Sequence, residues 1–420
     1  MNKQTNNKRF LMNIAVIGAG ISGLSFAKAL LHEDEFKVKV FEEKPHIGGI
    51  AKVKMVNDFP YHMIGGHCFN SKHQNVLDFV FGCVLEKEHW QKVERKASIL
   101  FHGKRLGYPI EFSMKELFES EPELAINCVL DYLDAKGEES QDLEEWFINN
   151  FGKSLAEQYF IPYNKKIWGR EPREMSPNWV VDKLPQPVKR DFVKGLLSEA
   201  KDTMPHATFY YPKSGTQNTF IQALAKDIDV ELEAKITNIA KLENGKYMVN
   251  GQEFDHIVYT GPMDKSNEVF DIDSTEVLSA IAGLNYNKVT TMLWESEPTD
   301  YTWTYLPDPD IPFHRLIHIG NFTTEKYPVT ITETTGVVSY EDMVKAGKSI
   351  SMLKSPLDYN VSDHAYVVFD KGIDENKSTI INYFSETNIH FLGRFGQWDY
   401  FNMDICILEA LKLKEKLMQL

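Results

Sequence analysis

The spacing of hydrophobic positions changes several times along the chain, and each change marks a different predicted element. Residues 13–17 form a short apolar run that predicts a β-strand. Residues 21–31 follow as a helix that begins on glycines, and residues 37–41 (KVKVF) alternate like a second strand. Because two strands joined by a helix are typically parallel, the chain is predicted to begin with a βαβ unit.

The middle of the chain has helical spacing. From residue 116 to about residue 199, apolar residues recur three and four positions apart, most clearly over 123–135, 143–150 and 154–160. This period predicts a block of amphipathic helices.

The second half returns to strand patterns. Short strands are predicted between residues 230 and 258, and residues 289–369 are aromatic and β-rich. Residues 330–356 are polar with weak periodicity and predict an irregular insertion, and residues 408–418 predict a closing amphipathic helix. We therefore expect an α/β fold with one helical insertion and one insertion made mainly of antiparallel sheet.

Composition narrows the class of protein. The chain has 420 residues, of which 43% are hydrophobic and 25% charged, as in a globular protein of two or three domains. A formal net charge of −14 argues against nucleic acid as a partner, since such binding needs a basic face.

Cysteine usage and hydropathy bear on the compartment. The four cysteines have no CxxC spacing, which favours neither a metal site nor a disulfide framework and fits a reducing compartment. No signal peptide and no apolar run of about 18 residues is evident. We expect a cytoplasmic protein without membrane insertion, either a monomer or a homo-oligomer.

The first candidate site is a glycine-rich turn. IAVIGAGISGLS places Gly18, Gly20 and Gly23 in a GxGxxG pattern between the first predicted strand and helix. These glycines permit a tight turn, close approach to a pyrophosphate, and close packing of helix on strand. Glu42 follows the second strand, where a carboxylate can accept hydrogen bonds from ribose hydroxyls. The pattern predicts a dinucleotide site.

Two further glycine pairs favour FAD as the dinucleotide. Gly48 and Gly49 follow the acidic residue in EEKPHIGGIA, and Gly66 precedes His67 in MIGGHCFN. Each pair lets backbone amides approach a ligand, and His67 is predicted to lie beside the flavin ring. An ordinary turn and a structural histidine are the alternatives that the residues alone leave open.

Three more segments carry candidate ligand contacts. Tyr163 and Trp168 in YNKKIWGR could stack on a base or sugar, although a solvated basic helix with a core tryptophan has the same pattern. Arg315 lies inside an apolar strand, where it needs either an anionic ligand or a buried ion pair. FLGRFGQWDYFNMD is predicted to return Arg394 to the cofactor site. With no catalytic triad, paired carboxylates or metal-ligand cluster evident, the cofactor is expected to carry the chemistry and no metal is expected.

Taken together, these segments resemble UDP-galactopyranose mutase, in particular its eukaryotic-type branch. The likeness is collinear over most of the chain. It also includes PHATFYYPKSGTQNTF, YLPDPDIPFHRLIHIGNF, DHAY and GRFGQWDYFNMD. Amine oxidases and protoporphyrinogen oxidases share the fold and the first glycines but match the later segments less well.

The resemblance implies a fold, an activity and a mechanism. The fold is an FAD-binding Rossmann-like domain, a doubly wound parallel sheet, with a helical insertion and an antiparallel-sheet substrate domain. The activity is that of an isomerase that interconverts pyranose and furanose forms of a nucleotide sugar, UDP-galactose or a related one, for cell-surface polysaccharide biosynthesis. FAD is active when reduced, by NADPH or NADH, and its N5 forms a covalent adduct with the sugar.

Three domains are predicted, and two of them are discontinuous. The FAD-binding domain comprises residues 1–90, 205–262 and 385–420. The helical domain with a mobile loop covers residues 112–204, and the substrate domain covers residues 91–111 and 263–384.

The resemblance also implies site residues. The implied catalytic residues are His67, Arg315, Tyr366 and Tyr400. The implied cofactor-binding residues are Gly18, Gly20, Gly23, Glu42, Gly48, Gly49, Gly66, Arg394, Asn402 and Met403. The implied substrate-binding residues are Tyr163, Trp168, Lys183 and Asn321.

One position departs from the family pattern. The family's loop arginine, which closes over the diphosphate, aligns with Lys183 in NWVVDKLPQP. A lysine keeps the charge but loses bidentate phosphate binding, although Arg170 or Arg190 could compensate. This departure favours the alternative of an FAD-dependent oxidoreductase of the amine-oxidase and protoporphyrinogen-oxidase class that acts on another metabolite. A non-catalytic FAD-binding scaffold is a third alternative.

Overall fold

A computed structural model describes residues 11–180, 184, 186, 188–197 and 207–419. The strands are β1 (Met12–Ile17), β2 (Phe36–Phe41), β3 (Val53–Val56), β4 (Phe59–His62), β5 (Trp90–Glu94), β6 (Ala97–Phe101), β7 (Lys104–Gly107), β8 (Thr208–Pro212), β9 (Val230–Glu231), β10 (Ala240–Lys241), β11 (Tyr247–Val249), β12 (Gln252–Phe254), β13 (His256–Tyr259), β14 (Tyr286–Ser296), β15 (Trp303–Tyr305), β16 (Arg315–Ile317), β17 (Val329–Thr335), β18 (Leu353–Val367) and β19 (Ile389–Phe391).

Helices occupy most of the middle of the chain and its C-terminal end. They are α1 (Ile21–Leu30), α2 (Gln74–Phe79), α3 (Met114–Ser120), α4 (Pro122–Asp134), α5 (Leu143–Phe151), α6 (Lys153–Leu155), α7 (Ile161–Trp168), α8 (Lys189–Leu197), α9 (Gln217–Ala225), α10 (Thr275–Ala282), α11 (Tyr340–Gly347), α12 (Ile373–Phe384), α13 (Gly393–Gly396) and α14 (Met403–Leu417). A π-helical turn (Ala156–Phe160) joins α6 to α7. The predicted βαβ start, helical middle and closing helix are confirmed.

A five-stranded parallel sheet forms around β1, in the order β19-β13-β1-β2-β9. Ile14 and Val16 of β1 point into the core shared with α1 and α14, whereas Ala15 and Ile17 point into the core on the opposite side. That side is covered by the antiparallel sheet β10-β11-β12. Because both faces are covered, β1 reads as a continuous apolar run.

A seven-stranded sheet carries most of the second half, in the order β18-β14-β17-β16-β15-β6-β7. The β15–β6 pair is parallel and the other pairs are antiparallel. The prediction of an α/β protein with a parallel sheet and antiparallel sheets is confirmed, and the division into three domains stays a proposal.

The expectation that residues 330–356 form an irregular insertion is wrong. They contain most of β17, all of α11 and the start of β18. The polar pattern was misleading because threonines of β17 are buried and their hydroxyls form hydrogen bonds with residues of β14. Thr330 Oγ1 lies 2.9 Å from Ser296 Oγ, and Trp294 Nε1 donates to Thr332 Oγ1 at 3.0 Å. Satisfied hydroxyls can occupy a core without an apolar signature.

In the described part of the chain, no helix combines the length and apolar character needed to cross a lipid bilayer.

Candidate active site

The glycine turn, residues 18–23, connects β1 to α1. Gly18 has a φ of 108°, and its N–H donates to the carbonyl of Phe41 at 2.7 Å. A Cβ on Gly23 would lie 2.1 Å from the carbonyl oxygen of Gly18, so the helix can approach the strand only with glycine there. Helix α1 then begins at Ile21, with Gly20 as its N-cap, no capping side chain and no acid in its first turn. Its N-terminus is therefore suited to an anion.

A second glycine segment faces this turn. Gly48 and Gly49 have φ values of 107° and 54°, and the Gly48 N–H donates to the carbonyl of Ala19 at 2.8 Å. A Cβ on Gly49 would lie 3.2 Å from the Cα of Gly20. Two bare backbones thus approach each other closely, and we call residues 18–23 with 48–49 the glycine gap. Bare backbone of this kind, beside a helix N-terminus, is suited to the diphosphate of a dinucleotide.

Glu42 lies at the edge of the same gap. Its carboxylate is buried and accepts hydrogen bonds from the N–H groups of Ala19 and Lys44, at 2.8 and 2.9 Å. These bonds fix the carboxylate beside the turn, where the sequence predicted a ribose contact.

His67 follows a tight loop at Gly65, whose φ is 60°. The His67 N–H donates to Nδ1 of His62 at 3.0 Å, and its buried Nε2 has no hydrogen-bond partner among the described residues. Burial lowers the pKa of His67 to about 4, and the positive charge of Arg394 adds to the effect. At neutral pH this imidazole is uncharged.

The arginine cluster comprises Arg315, Glu333, Tyr366, Arg394 and Tyr400. Arg315 and Glu333 are opposite each other on β16 and β17, and Nη2 of Arg315 lies 2.5 Å from the carboxylate of Glu333. Glu333, fully buried, also accepts from His314 Nε2 at 2.9 Å and from the Gly65 N–H at 2.7 Å. Burial alone would raise the pKa of Glu333, but Arg315 and these donors hold it well below its usual range.

Arg394 completes the cluster. Its guanidinium lies over the rings of Tyr366 and Tyr400, at 4.9 and 4.7 Å from their centroids, and the two rings are nearly parallel. Two buried nitrogens of Arg394, and Nε of Arg315, have no hydrogen-bond partner among the described residues. Since unpaired buried cations are costly, these nitrogens point to an anionic ligand. The ion pair of Arg315 and a ligand role for it are therefore compatible.

Helix α7 brings two further aromatic residues to the cluster. Trp168, at the end of α7, packs edge-on against Tyr366 and Tyr400, with centroids 6.2 and 6.3 Å apart. Tyr163 packs edge-on against Tyr305, which lies opposite Arg315 in the β15–β16 pair. Tyr163 and Trp168 thus line one side of the site.

The remaining predicted residues are placed differently. The side-chain amide of Asn321 donates to the carbonyls of Thr299 and Tyr301, at 2.7 and 2.6 Å, which is a local structural role. Asn402 is exposed and precedes α14, and Met403 is buried at its first turn. Lys183 lies outside the described residues.

Sequence reasoning missed Glu333 and Gln217. Glu333 stands alone among threonines in TITETT, opposite an equally isolated Arg315, and this pair of lone charges was the available signal. Gln217 is fully buried at the start of α9, and its Oε1 has no partner among the described residues.

The chain is similar to a family of flavoproteins and to two sugar mutases. The profile of the family described as flavin containing amine oxidoreductase matches residues 21–299. The chain is 24% identical over 408 residues to dTDP-fucopyranose mutase of Escherichia coli, covering 95% of this chain and 96% of the relative. It is also 24% identical over 425 residues to a probable UDP-galactopyranose mutase of Klebsiella pneumoniae, covering 98% and 95%.

Among solved structures, the crystal structure of reduced UDP-galactopyranose mutase superposes with a TM-score of 0.84 at 19% identity, covering 97% of this chain and 94% of that one. These similarities confirm the predicted fold and the predicted resemblance to UDP-galactopyranose mutase. They also confirm the prediction that the chain is an enzyme of the isomerase class. The glycine gap and the unpartnered nitrogens of the arginine cluster fit an FAD molecule and an anionic substrate.

Proposed function

The chain belongs to the family of flavin-containing amine oxidoreductases, and from that premise we propose that it is an FAD-dependent nucleotide-sugar mutase. It would interconvert the pyranose and furanose forms of a sugar carried on a nucleoside diphosphate. The names of its relatives support a UDP-galactose or a related substrate such as a dTDP-linked sugar.

The observation that carries the proposal is the charge of the arginine cluster. The cluster contains two guanidinium groups, those of Arg315 and Arg394, and one carboxylate, that of Glu333, which pairs with Arg315. Nitrogens on both arginines lack partners among the described residues. A diphosphate supplies the missing negative charge and acceptor oxygens. Tyr163 and Trp168 provide aromatic surfaces for the base or the sugar.

Each cluster residue then has a defined task. Arg315 binds the diphosphate, and Glu333 is a positioning residue that holds Arg315 from its other side. Burial raises the pKa of Tyr366, so its hydroxyl stays protonated at neutral pH. This hydroxyl accepts from Arg315 Nη2 and donates to Glu333 at 3.3 Å, so it would donate to a phosphate oxygen by exchanging its bond to Glu333. Tyr400 is proposed as a second hydroxyl donor, and Arg394 fixes both rings by lying over them.

The residues that would hold FAD are those around the glycine gap and the neighbouring loops: Gly18, Gly20, Gly23, Glu42, Gly48, Gly49, Gly66, Arg394, Asn402 and Met403. When bound and reduced by NADPH or NADH, FAD supplies a nucleophilic N5 for covalent catalysis at the anomeric carbon of the sugar. The neutral imidazole of His67 can exchange a proton or a hydrogen bond through its unpartnered Nε2.

Two substrate contacts remain proposals. Lys183 is proposed to replace the family's arginine over the diphosphate. Asn321 is proposed to contact the substrate only through its amide oxygen, because its amide nitrogen already donates to two backbone carbonyls.

The test is an assay of the purified protein against a panel of nucleotide sugars, with and without dithionite. We expect the protein to be yellow and to convert UDP-galactofuranose, or a related furanose, to the pyranose form only when it is reduced. Chromatography of the nucleotide sugars measures the conversion. No conversion of any sugar by the reduced protein contradicts the proposal.

The second candidate is an FAD-dependent oxidoreductase acting on another metabolite. It is favoured by the description of the matched family and by Lys183 standing where the mutases place an arginine. Substrate-dependent oxygen uptake in the same assay, without sugar conversion, supports this candidate. Retained flavin with neither activity indicates a scaffold.

A further inference from the structure

Gln217 is a buried amide with one end unpaired. It is the first residue of α9, its side chain is 0% exposed, and its Nε2 lies 3.4 Å from Sδ of Met403. Its Oε1 is buried and has no hydrogen-bond partner among the described residues. Leaving a buried acceptor unpaired is costly, so this oxygen is expected to take a donor from beyond the described residues.

The elements around Gln217 are the ones proposed to hold the cofactor. Met403 begins α14 at the end of the Arg394 loop. One turn further along α9, Ile221 is the side chain that a Cβ on Gly48 would meet, at 2.9 Å. Helix α9 therefore packs on the glycine gap, with Gln217 turned towards the same interior.

A third connection leads to the loop that carries His67. The hydroxyl of Tyr211 accepts the backbone N–H of Gln217 at 3.4 Å and contacts His62 Nε2 at 3.0 Å. His62 in turn accepts the N–H of His67. Gln217 is thus connected to the glycine gap, the start of α14 and the His67 loop, the elements around which the proposed function places the flavin ring.

We propose that the amide oxygen of Gln217 accepts a hydrogen bond from a ring N–H of the bound flavin, which makes Gln217 a cofactor-contacting residue that tunes the redox properties of the ring. The flavin ring carries N–H donors, and Met403 holds the opposite end of the amide so that the oxygen faces the ring. This inference rests on the proposed FAD site and concerns the flavin rather than the sugar.

The test compares Gln217→Leu with the matched control Gln222→Leu, an exposed glutamine on the same helix. FAD affinity, the visible flavin spectrum and the midpoint reduction potential are measured on the full chain. We expect Gln217→Leu to weaken FAD binding about tenfold, as for one lost hydrogen bond, and to change both the spectrum and the potential. Gln222→Leu should match the wild type in all three.

Two results overturn the assignment. One is a Gln217→Leu protein with wild-type affinity, spectrum and potential. The other is a weaker affinity with an unchanged spectrum and potential, which would place the contact away from the ring. A wild-type protein that binds no flavin contradicts the proposed function itself, so the two failures are distinguishable.

A second variant covers the case in which Gln217→Leu does not fold. Gln217→Glu keeps the shape and the acceptor oxygen but adds a negative charge, which disfavours the electron-rich reduced ring. We expect FAD to be retained with a more negative midpoint potential. An unchanged potential in this variant also overturns the assignment.

Discussion

The glycine turn and the arginine cluster present ligand-binding groups in two different ways. The turn is local: its residues lie within 18–23, and its geometry is set by backbone contacts such as the approach of Gly23 to the carbonyl of Gly18. The cluster is assembled from β16, β17, β18 and the loop around α13, which are far apart in sequence. The turn depends on the absence of side chains, whereas the cluster depends on compensated charge. The two should therefore respond to opposite kinds of substitution.

The largest effect is expected from neutralising the buried carboxylate of the cluster. Glu333→Gln leaves Arg315 buried without a counter-charge, which costs about 3–5 kcal/mol when one partner of a buried ion pair is removed. Urea-induced unfolding measures the loss. Glu297→Gln, which removes an exposed partner of Lys354, is the control and should cost less than about 1 kcal/mol. Equal losses in the two variants would show that charge compensation does not hold the cluster.

The turn is broken by adding a single methyl group. Gly23→Ala places a Cβ 2.1 Å from the carbonyl of Gly18, and overpacking of this kind costs about 1–3 kcal/mol. FAD binding should fall with the stability, because the turn must open. Gly82→Ala is the matched control, since a Cβ there meets nothing within 4 Å. Flavin content after purification and thermal unfolding check both variants.

The two arginines of the cluster should separate ligand binding from stability. Arg394 has no carboxylate within 4.0 Å among the described residues, so Arg394→Met should weaken UDP binding about tenfold with little loss of stability. Arg315→Ala should weaken UDP binding and also destabilise the fold, since it leaves Glu333 buried without its counter-charge. Titration calorimetry with UDP and thermal unfolding measure the two effects. A loss of stability in Arg394→Met as large as that in Arg315→Ala contradicts this separation.

An effect confined to acidic conditions is expected in the pH dependence of stability. The pKa of folded His67, about 4, lies below its unfolded value of 6.5, so the unfolded chain binds more protons between these values. Its contribution is therefore constant above about pH 6.5 and is lost as the pH falls towards 4. His67→Gln should reduce the slope of unfolding free energy against pH in this window. An unchanged slope would show that His67 is not held neutral.

The same contrast explains what the sequence could predict. The turn was predictable from residues because strand, glycines, helix and Glu42 occur within about thirty positions, each with its own local signal. Arg315 and Arg394 could be singled out from their own segments, but only a family resemblance grouped them with Tyr366 and Tyr400, since no local pattern brings the four together.

Glu333 lies in a strand that hydrophobic periodicity does not predict. Its strand was missed because threonines with paired hydroxyls occupy core positions of β17, so hydropathy does not alternate. Asn321 shows a related limit: the residue type suits a ligand contact, but only the fold reveals that its amide nitrogen is already bonded to Thr299 and Tyr301.

Glu333 has one further consequence, because it bonds to groups on both sides of the site. One carboxylate oxygen holds Arg315, which is proposed to bind the substrate, and the other holds the Gly65 N–H of the loop that leads to His67, which is proposed to lie beside the flavin. A substrate that draws Arg315 away from Glu333 thereby alters the anchor of the flavin-side loop. Binding at the two sites then shares a coupling free energy, and linkage requires it to be reciprocal: sugar nucleotide and flavin change each other's affinity by the same factor.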